Sequence, residues 1–180
     1  QTKPKAERRN ITIDGQPTVE VDVKASHLSI LYAVNGQTMR YKPDPYTMKG
    51  VPRDLVKGVV VAWMGAGKAP AKWPKRVIKE YHDPKGRKLG QVYRVKDVAD
   101  ALLARHPVLA SLEKDVMDWA NLQFLEAECF LRAMETLHAG GVPSLPVHDS
   151  LIVRGEDAEA AKEALQREYH RQLGFLPVVV

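Results

Sequence analysis

Cysteine is almost missing from this 180-residue chain: Cys129 stands alone. No internal disulfide can form, and a cysteine-rich zinc site is excluded. No run of 18 apolar residues occurs, which excludes a membrane-spanning helix. No apolar leader follows Gln1, so no secretory signal is expected, and a reducing, cytoplasmic setting fits. Aromatics are sparse, at 7%, but 44% of residues are hydrophobic and 27% charged. That composition supports a folded core, with one domain or one core plus a small lobe expected at this length.

What the chain does carry is positive charge in one place. Lysine and arginine number 27 against 22 acids, a net of +5. Between Lys68 and Lys96 ten basic residues meet only two acids, so this segment holds +8 and the remainder −3. Concentrated charge of this kind suits a phosphate-bearing partner, although a solvated loop face has the same composition.

Periodicity predicts the elements. Ile11–Ile13 and Thr18–Val23 alternate around Asp14-Gly15, as in a two-stranded hairpin. From Ala25 the period turns helical to Val34, with Ser26 as the expected N-cap and Asn35-Gly36 as the stop. Residues 37–52 hold Pro43, Pro45, Gly50 and Pro52 and read as irregular. Residues 53–64 are ambiguous: Gly58 followed by three valines suits a helix only with tertiary support. A short helix is expected over 95–105. A long one is expected over 107–137, with Leu109, Leu112, Val116, Trp119, Ala120, Phe124, Ala127, Leu131, Met134 and Leu137 as its apolar stripe. Two short strands, 145–147 and 151–153, flank His148-Asp149-Ser150, and a last amphipathic helix spans 156–173.

Two acids stand out. Asp22 and Asp149 each adjoin a hydrophobic strand, where an isolated carboxylate is costly unless paired or used. In neighbouring strands they could face each other. Two hard oxygen donors with open positions suit Mg²⁺, which binds through one or two carboxylates plus substrate phosphates. Taken singly, Asp149 reads equally as a turn residue and Asp22 as an acid at a helix N-terminus. Other signals are weaker. Gly65-Ala66-Gly67-Lys68-Ala69 lacks the glycine and hydroxyl residue of a P-loop, and Cys129 reads as a core thiol. Neighbours on one strand point to opposite faces, so His148-Asp149-Ser150 is no catalytic triad.

Three stretches carry a family likeness. Val21-Asp22-Val23-Lys24-Ala25-Ser26-His27-Leu28-Ser29-Ile30-Leu31-Tyr32 resembles the first palm motif of the superfamily joining family A DNA polymerases and single-subunit phage-type RNA polymerases. Val147-His148-Asp149-Ser150 resembles its last palm motif. Gln123, Glu128 and Ala133-Met134 keep the spacing of its glutamine-bearing helix. The likeness covers about residues 10–155 and is nearest to small bacterial or phage-borne members with a Leu-Pro-Val-His-Asp-Ser ending.

The resemblance implies an α+β fold, with a small antiparallel palm-like sheet packed on helices and a reduced helical fingers lobe. Residues 1–36 and 106–180 would be palm-like, and 37–105 the basic fingers-like part. It implies a template-directed nucleotidyltransferase using two Mg²⁺ ions, with Mn²⁺ able to substitute. Asp22, Asp149 and the Val23 carbonyl would hold the metal. Arg53 and Lys57 would bind the nucleoside triphosphate, and His27 would occupy the sugar-gating position. Gln123 and His148 would touch primer or template, and Lys68, Lys72, Lys75 and Arg76 the nucleic-acid backbone. Trp63, Trp73 and Tyr81 would either stack on bases or pack in a core. Gly65 stands where the family has an aromatic. His27 matches neither the DNA-type nor the RNA-type gate, so both syntheses stay open. Only 21 residues precede Asp22, so a thumb would come from a further N-terminal segment or a partner. The alternatives are a non-catalytic nucleic-acid-binding module with a palm fold and a metal-dependent nuclease.

Overall fold

A computed structural model of the protein describes residues 5–39, 44–112 and 117–180; Pro43 and Val116 lie outside them. In chain order the elements are α1 (Lys5–Arg8), β1 (Thr12–Ile13), β2 (Gln16–Asp22), α2 (Ser26–Val34), α3 (Arg53–Ala66), α4 (Lys75–Glu80), α5 (Leu89–Val92), α6 (Val95–Arg105), α7 (Trp119–Ala139), β3 (Leu145–Val147), β4 (Ser150–Arg154) and α8 (Ala158–Leu173). The fold is α+β. The chain divides into two compact units, residues 1–38 with 123–180, and residues 39–122. The later boundary of these units falls inside α7, whereas the expected subdomain boundary lay between residues 105 and 106. The turn Pro107–Ser111 packs on α6, which draws residues 106–112 into the second unit.

The first unit is built on a four-stranded antiparallel sheet in the order β1-β2-β4-β3. Asp14 and Gly15 close the first hairpin at φ 52° and 76°, the left-handed pair that a type I′ turn requires. The central ladder runs from Thr18↔Arg154 to Asp22↔Ser150. Alternation puts Val21, Leu151 and Val153 on one face, all buried. Helix α8 packs on β2 and β4. Its buried residues Ala161, Ala164, Leu165, Glu168 and Tyr169 follow one helical stripe. Each fully buried aliphatic side chain here contributes about 1.5–3 kcal/mol.

Three expectations about helices are corrected. Residues 107–137 are not one helix. Pro107–Ser111 is a short 3₁₀ turn, and α7 starts afresh because Asp118 caps it. Its Oδ1 accepts from the Ala120 and Asn121 amides at 2.9 and 3.2 Å, and Asn121 Oδ1 accepts from the Asp118 amide at 3.0 Å. The apolar stripe of α7 is also differently phased. Leu122, Cys129, Phe130, Ala133 and Leu137 are buried, whereas Phe124 and Leu131 are 64% and 53% exposed. Both stripes obey helical spacing, and tertiary packing selects one. Likewise Ser26 is not the cap of α2. Ala25 holds that place at φ 50°, and the Ser26 hydroxyl lies 2.7 Å from Tyr169 Oη.

The second unit is helical and resolves the ambiguity at 53–64. Helix α3 buries Leu55, Val56, Val59, Val60, Trp63 and Met64. Gly58 has a packing reason: a Cβ there would lie 2.3 Å from Val77 Cγ2 of α4. Leu55, Val77 and Leu89 form a small core, covered by Val51, Trp73, Tyr81 and Tyr93. Trp63 and its neighbours therefore pack; the Trp73 indole N–H donates to the Tyr93 carbonyl at 2.9 Å, and the Tyr81 and Tyr93 rings meet edge to face. The basic segment is thus a surface on small helices. Buried His106 lies with Nε2 3.0 Å from the Pro45 carbonyl. No helix of the described residues is long and apolar enough to cross a membrane.

Candidate functional site

Asp22 is the last residue of β2, and its cross-strand partner is Ser150, the first residue of β4. Asp149 is the residue before Ser150, in the two-residue turn between β3 and β4. Residues 127 positions apart in the chain thus come to the same end of the central strand pair. Asp22 is partly buried, and Asp149 and His148 are exposed. His148 sits at φ 51°, a conformation that the tight turn imposes and that non-glycine residues seldom adopt.

The main chain at Asp22 faces away from β4. Its amide donates to the Val180 carbonyl at 2.8 Å, and its carbonyl accepts from the Val180 amide at 2.9 Å. Antiparallel alternation then turns the Val23 carbonyl to the opposite edge, the side of the His148-Asp149 turn. The donor set expected from Asp22, Asp149 and Val23 would be two carboxylates and one main-chain carbonyl. Among the described residues no group of three or more His, Cys, Asp or Glu gathers as a metal cage. Such a set fits Mg²⁺ that takes its remaining ligands from water and phosphate, and does not fit a closed structural metal site.

Three polar partners of this strand end were not singled out by sequence reasoning. Glu20 shares the Asp22 face, and the Ser150 hydroxyl lies 3.0 Å from Glu20 Oε1 and 2.9 Å from the Val147 carbonyl. Arg8 Nη2 donates to both Glu20 oxygens, at 3.0 and 3.2 Å. Glu126, nearly buried on α7, lies with Oε2 3.2 Å from His27 Nε2. The alternation of Val19, Glu20, Val21 and Asp22 was the only signal pointing to Glu20. Nothing in sequence could pair Glu126 with His27 across about a hundred residues.

The buried Tyr169 hydroxyl, 2.7 Å from the Ser26 hydroxyl, is pushed well above its ordinary range by burial. Burial, then Glu168 and Glu126, pushes the Cys129 thiol up to about 12, so it stays protonated and is no nucleophile at neutral pH. Gln123 is exposed on α7, one turn before Glu126.

In the helical unit, Arg53 and Lys57 stand one turn apart at the start of α3. Both lie over the Tyr46 ring, at 5.4 and 6.0 Å from its centroid. Asp44 organises this group: Oδ1 accepts from the Tyr46 amide at 3.0 Å, and Oδ2 accepts from Arg53 Nε. Burial pushes the Tyr46 phenol up to about 12, so it remains a neutral platform. Asp44 and Tyr46 were also missed, lying in a stretch that reads only as proline-rich loop.

All ten basic residues of 68–96 are exposed. Arg76, Arg87, Arg94 and Lys96 pair with nearby acids on the surface. Lys68, Lys72 and Lys75 have no carboxylate partner among the described residues and present their charge to solvent. In comparisons with known proteins, no family model matches the chain and no curated protein matches it. The polymerase resemblance therefore rests on the sequence motifs alone.

Proposed function

We propose that the protein is a template-directed nucleotidyltransferase of the polymerase palm type, acting on nucleoside triphosphates along a nucleic-acid primer and template. The observation that carries this reading is the register Asp22↔Ser150, which sets Asp22 opposite the residue that follows Asp149. Asp22, Asp149 and the Val23 carbonyl are the residues that would hold Mg²⁺, with Mn²⁺ as substitute. Bound there, a metal pair stabilises the attacking and leaving oxygens of an in-line phosphoryl displacement.

The other residues bind and orient. Arg53 and Lys57 supply the cations for a triphosphate, with Arg53 held in place by Asp44. His27, steadied by Glu126, lies on the first turn of α2 after Asp22 and contacts the incoming sugar. Gln123 and His148 contact the primer end. Lys68, Lys72, Lys75 and Arg76 track phosphates without reading sequence, which makes binding fall with salt.

The test is primer extension by the full chain with Mg²⁺. Extension is expected, and it is expected to vanish in Asp22→Ala and Asp149→Ala while primed-template binding persists. Extension at the wild-type rate by either variant removes the mechanism. Degradation without extension would instead assign a nuclease. Salt-dependent binding with neither activity would assign a binding module.

A further inference from the structure

The segment after α8 returns to the strand end that carries Asp22. Gly174 ends α8 at φ 73°, and the Phe175 ring packs edge to face on Tyr169 at 5.6 Å. Pro177 is buried. Val179 then bridges Val23 in antiparallel register, with Lys24 N–H donating to the Val178 carbonyl at 2.9 Å and the two Asp22–Val180 bonds completing the bridge.

The register gives these bonds their weight. The Asp22–Ser150 rung is one at which the two residues exchange no main-chain hydrogen bond, because both Asp22 groups are turned to Val180. Just beyond, the chain leaves the sheet through Ala25 at φ 50° and enters α2. The strand-to-helix corner at 22–25 is therefore hydrogen-bonded on its outer edge by 178–180.

We infer that Val178–Val180 is a positioning segment that fixes the Asp22 main chain, and through it the Asp22 carboxylate and the Val23 carbonyl, for metal binding. This rests on the reading of Asp22 and Val23 as metal donors. The segment touches no reacting group; it acts by limiting the conformations of the corner. Outer partners of metal ligands commonly account for 10- to 100-fold in affinity.

The experiment compares the wild-type full chain with Val180→Pro, which deletes the N–H that bonds the Asp22 carbonyl. Leu176→Ala is the reference, a neighbour whose main chain makes none of these bonds. Mn²⁺ affinity is read from the free-ion paramagnetic signal, alongside thermal melting and the split of extension kinetics into kcat and KM. Mn²⁺ binding about tenfold weaker in Val180→Pro, with melting and nucleotide KM near wild type and kcat lowered, supports the inference. Equal Mn²⁺ affinity in Val180→Pro and Leu176→Ala overturns it. If Val180→Pro does not fold, Val179→Gly, which keeps every bond but loosens the segment, is compared with Leu176→Ala: weaker Mn²⁺ binding supports and equal binding overturns. A wild-type chain that binds Mn²⁺ but never extends a primer sinks the proposed function and leaves this inference to the binding data. A wild-type chain that binds no Mn²⁺ overturns both.

Discussion

The two units assemble their polar groups over different sequence distances. In the sheet unit, Ser150 meets Glu20 across 130 residues, and Ser26 meets Tyr169 across 143. In the helical unit, Arg53 meets Asp44 across nine and Trp73 meets Tyr93 across twenty, with His106 to Pro45, at 61, the exception. A group assembled from distant strands exists only when the whole ladder is in register. A group assembled from neighbouring turns needs only its own small core. The sheet unit should therefore lose its site cooperatively, and the helical unit should tolerate local damage.

The largest expected effect tests the sheet side of that contrast. Leu151→Ala empties a fully buried position on β4 beside the Asp22 rung. It should destabilise the sheet unit by about 2–5 kcal/mol. Native-state hydrogen exchange should show faster opening of the β2 and β4 amides, with α3 and α6 amides little changed. Equal acceleration in both units would mean that they unfold as one, and the contrast would be lost.

Gly58→Ala tests the helical side. Alanine favours a helix by about 1 kcal/mol, yet its Cβ would overlap Val77 at 2.3 Å. Overpacking should win, with a net loss of about 1–3 kcal/mol confined to α3 and α4 amides. A gain in stability would show that α4 moves aside freely and that the small core is loosely packed.

The smallest effect is a pH dependence. Burial, the largest influence on His106, lowers its pKa below the ordinary value of about 6.5. As pH falls through that value the unfolded chain takes up the proton first. The stabilisation is therefore present at neutral pH and is lost as pH drops from about 7 toward the depressed folded-state pKa. Urea unfolding of the helical unit at pH 7 and pH 5.5 should show this decline, and it should be reduced in His106→Gln. A variant as pH-sensitive as wild type would move the effect to another group.

Much of the sheet unit was legible from residues alone. Alternation marked β2, the Asp14-Gly15 turn marked the first hairpin, and Val147-His148-Asp149-Ser150 marked the second. Leu145–Val147 and Leu151–Val153 match β3 and β4 to within a residue. The phase of α7 was not legible, because Phe124 and Leu131 on one arc and Leu122 and Phe130 on another both satisfy helical spacing. The Ser26 hydroxyl was misread as a local cap because its true partner, Tyr169, has no sequence signal. Helix formation at 53–66 also stayed open, since it depends on the α4 surface that Gly58 admits.

The amino-acid order by itself determined the strands, the turns, the position of each acid and the concentration of positive charge, because periodicity, turn chemistry and charge act over a few residues. Tertiary structure alone decided that Asp22 stands opposite Ser150, that Glu126 reaches His27 and that Val180 holds the Asp22 main chain. Those pairings depend on ladder register and on which helix face is buried, and both are set by the competition of the whole core for burial.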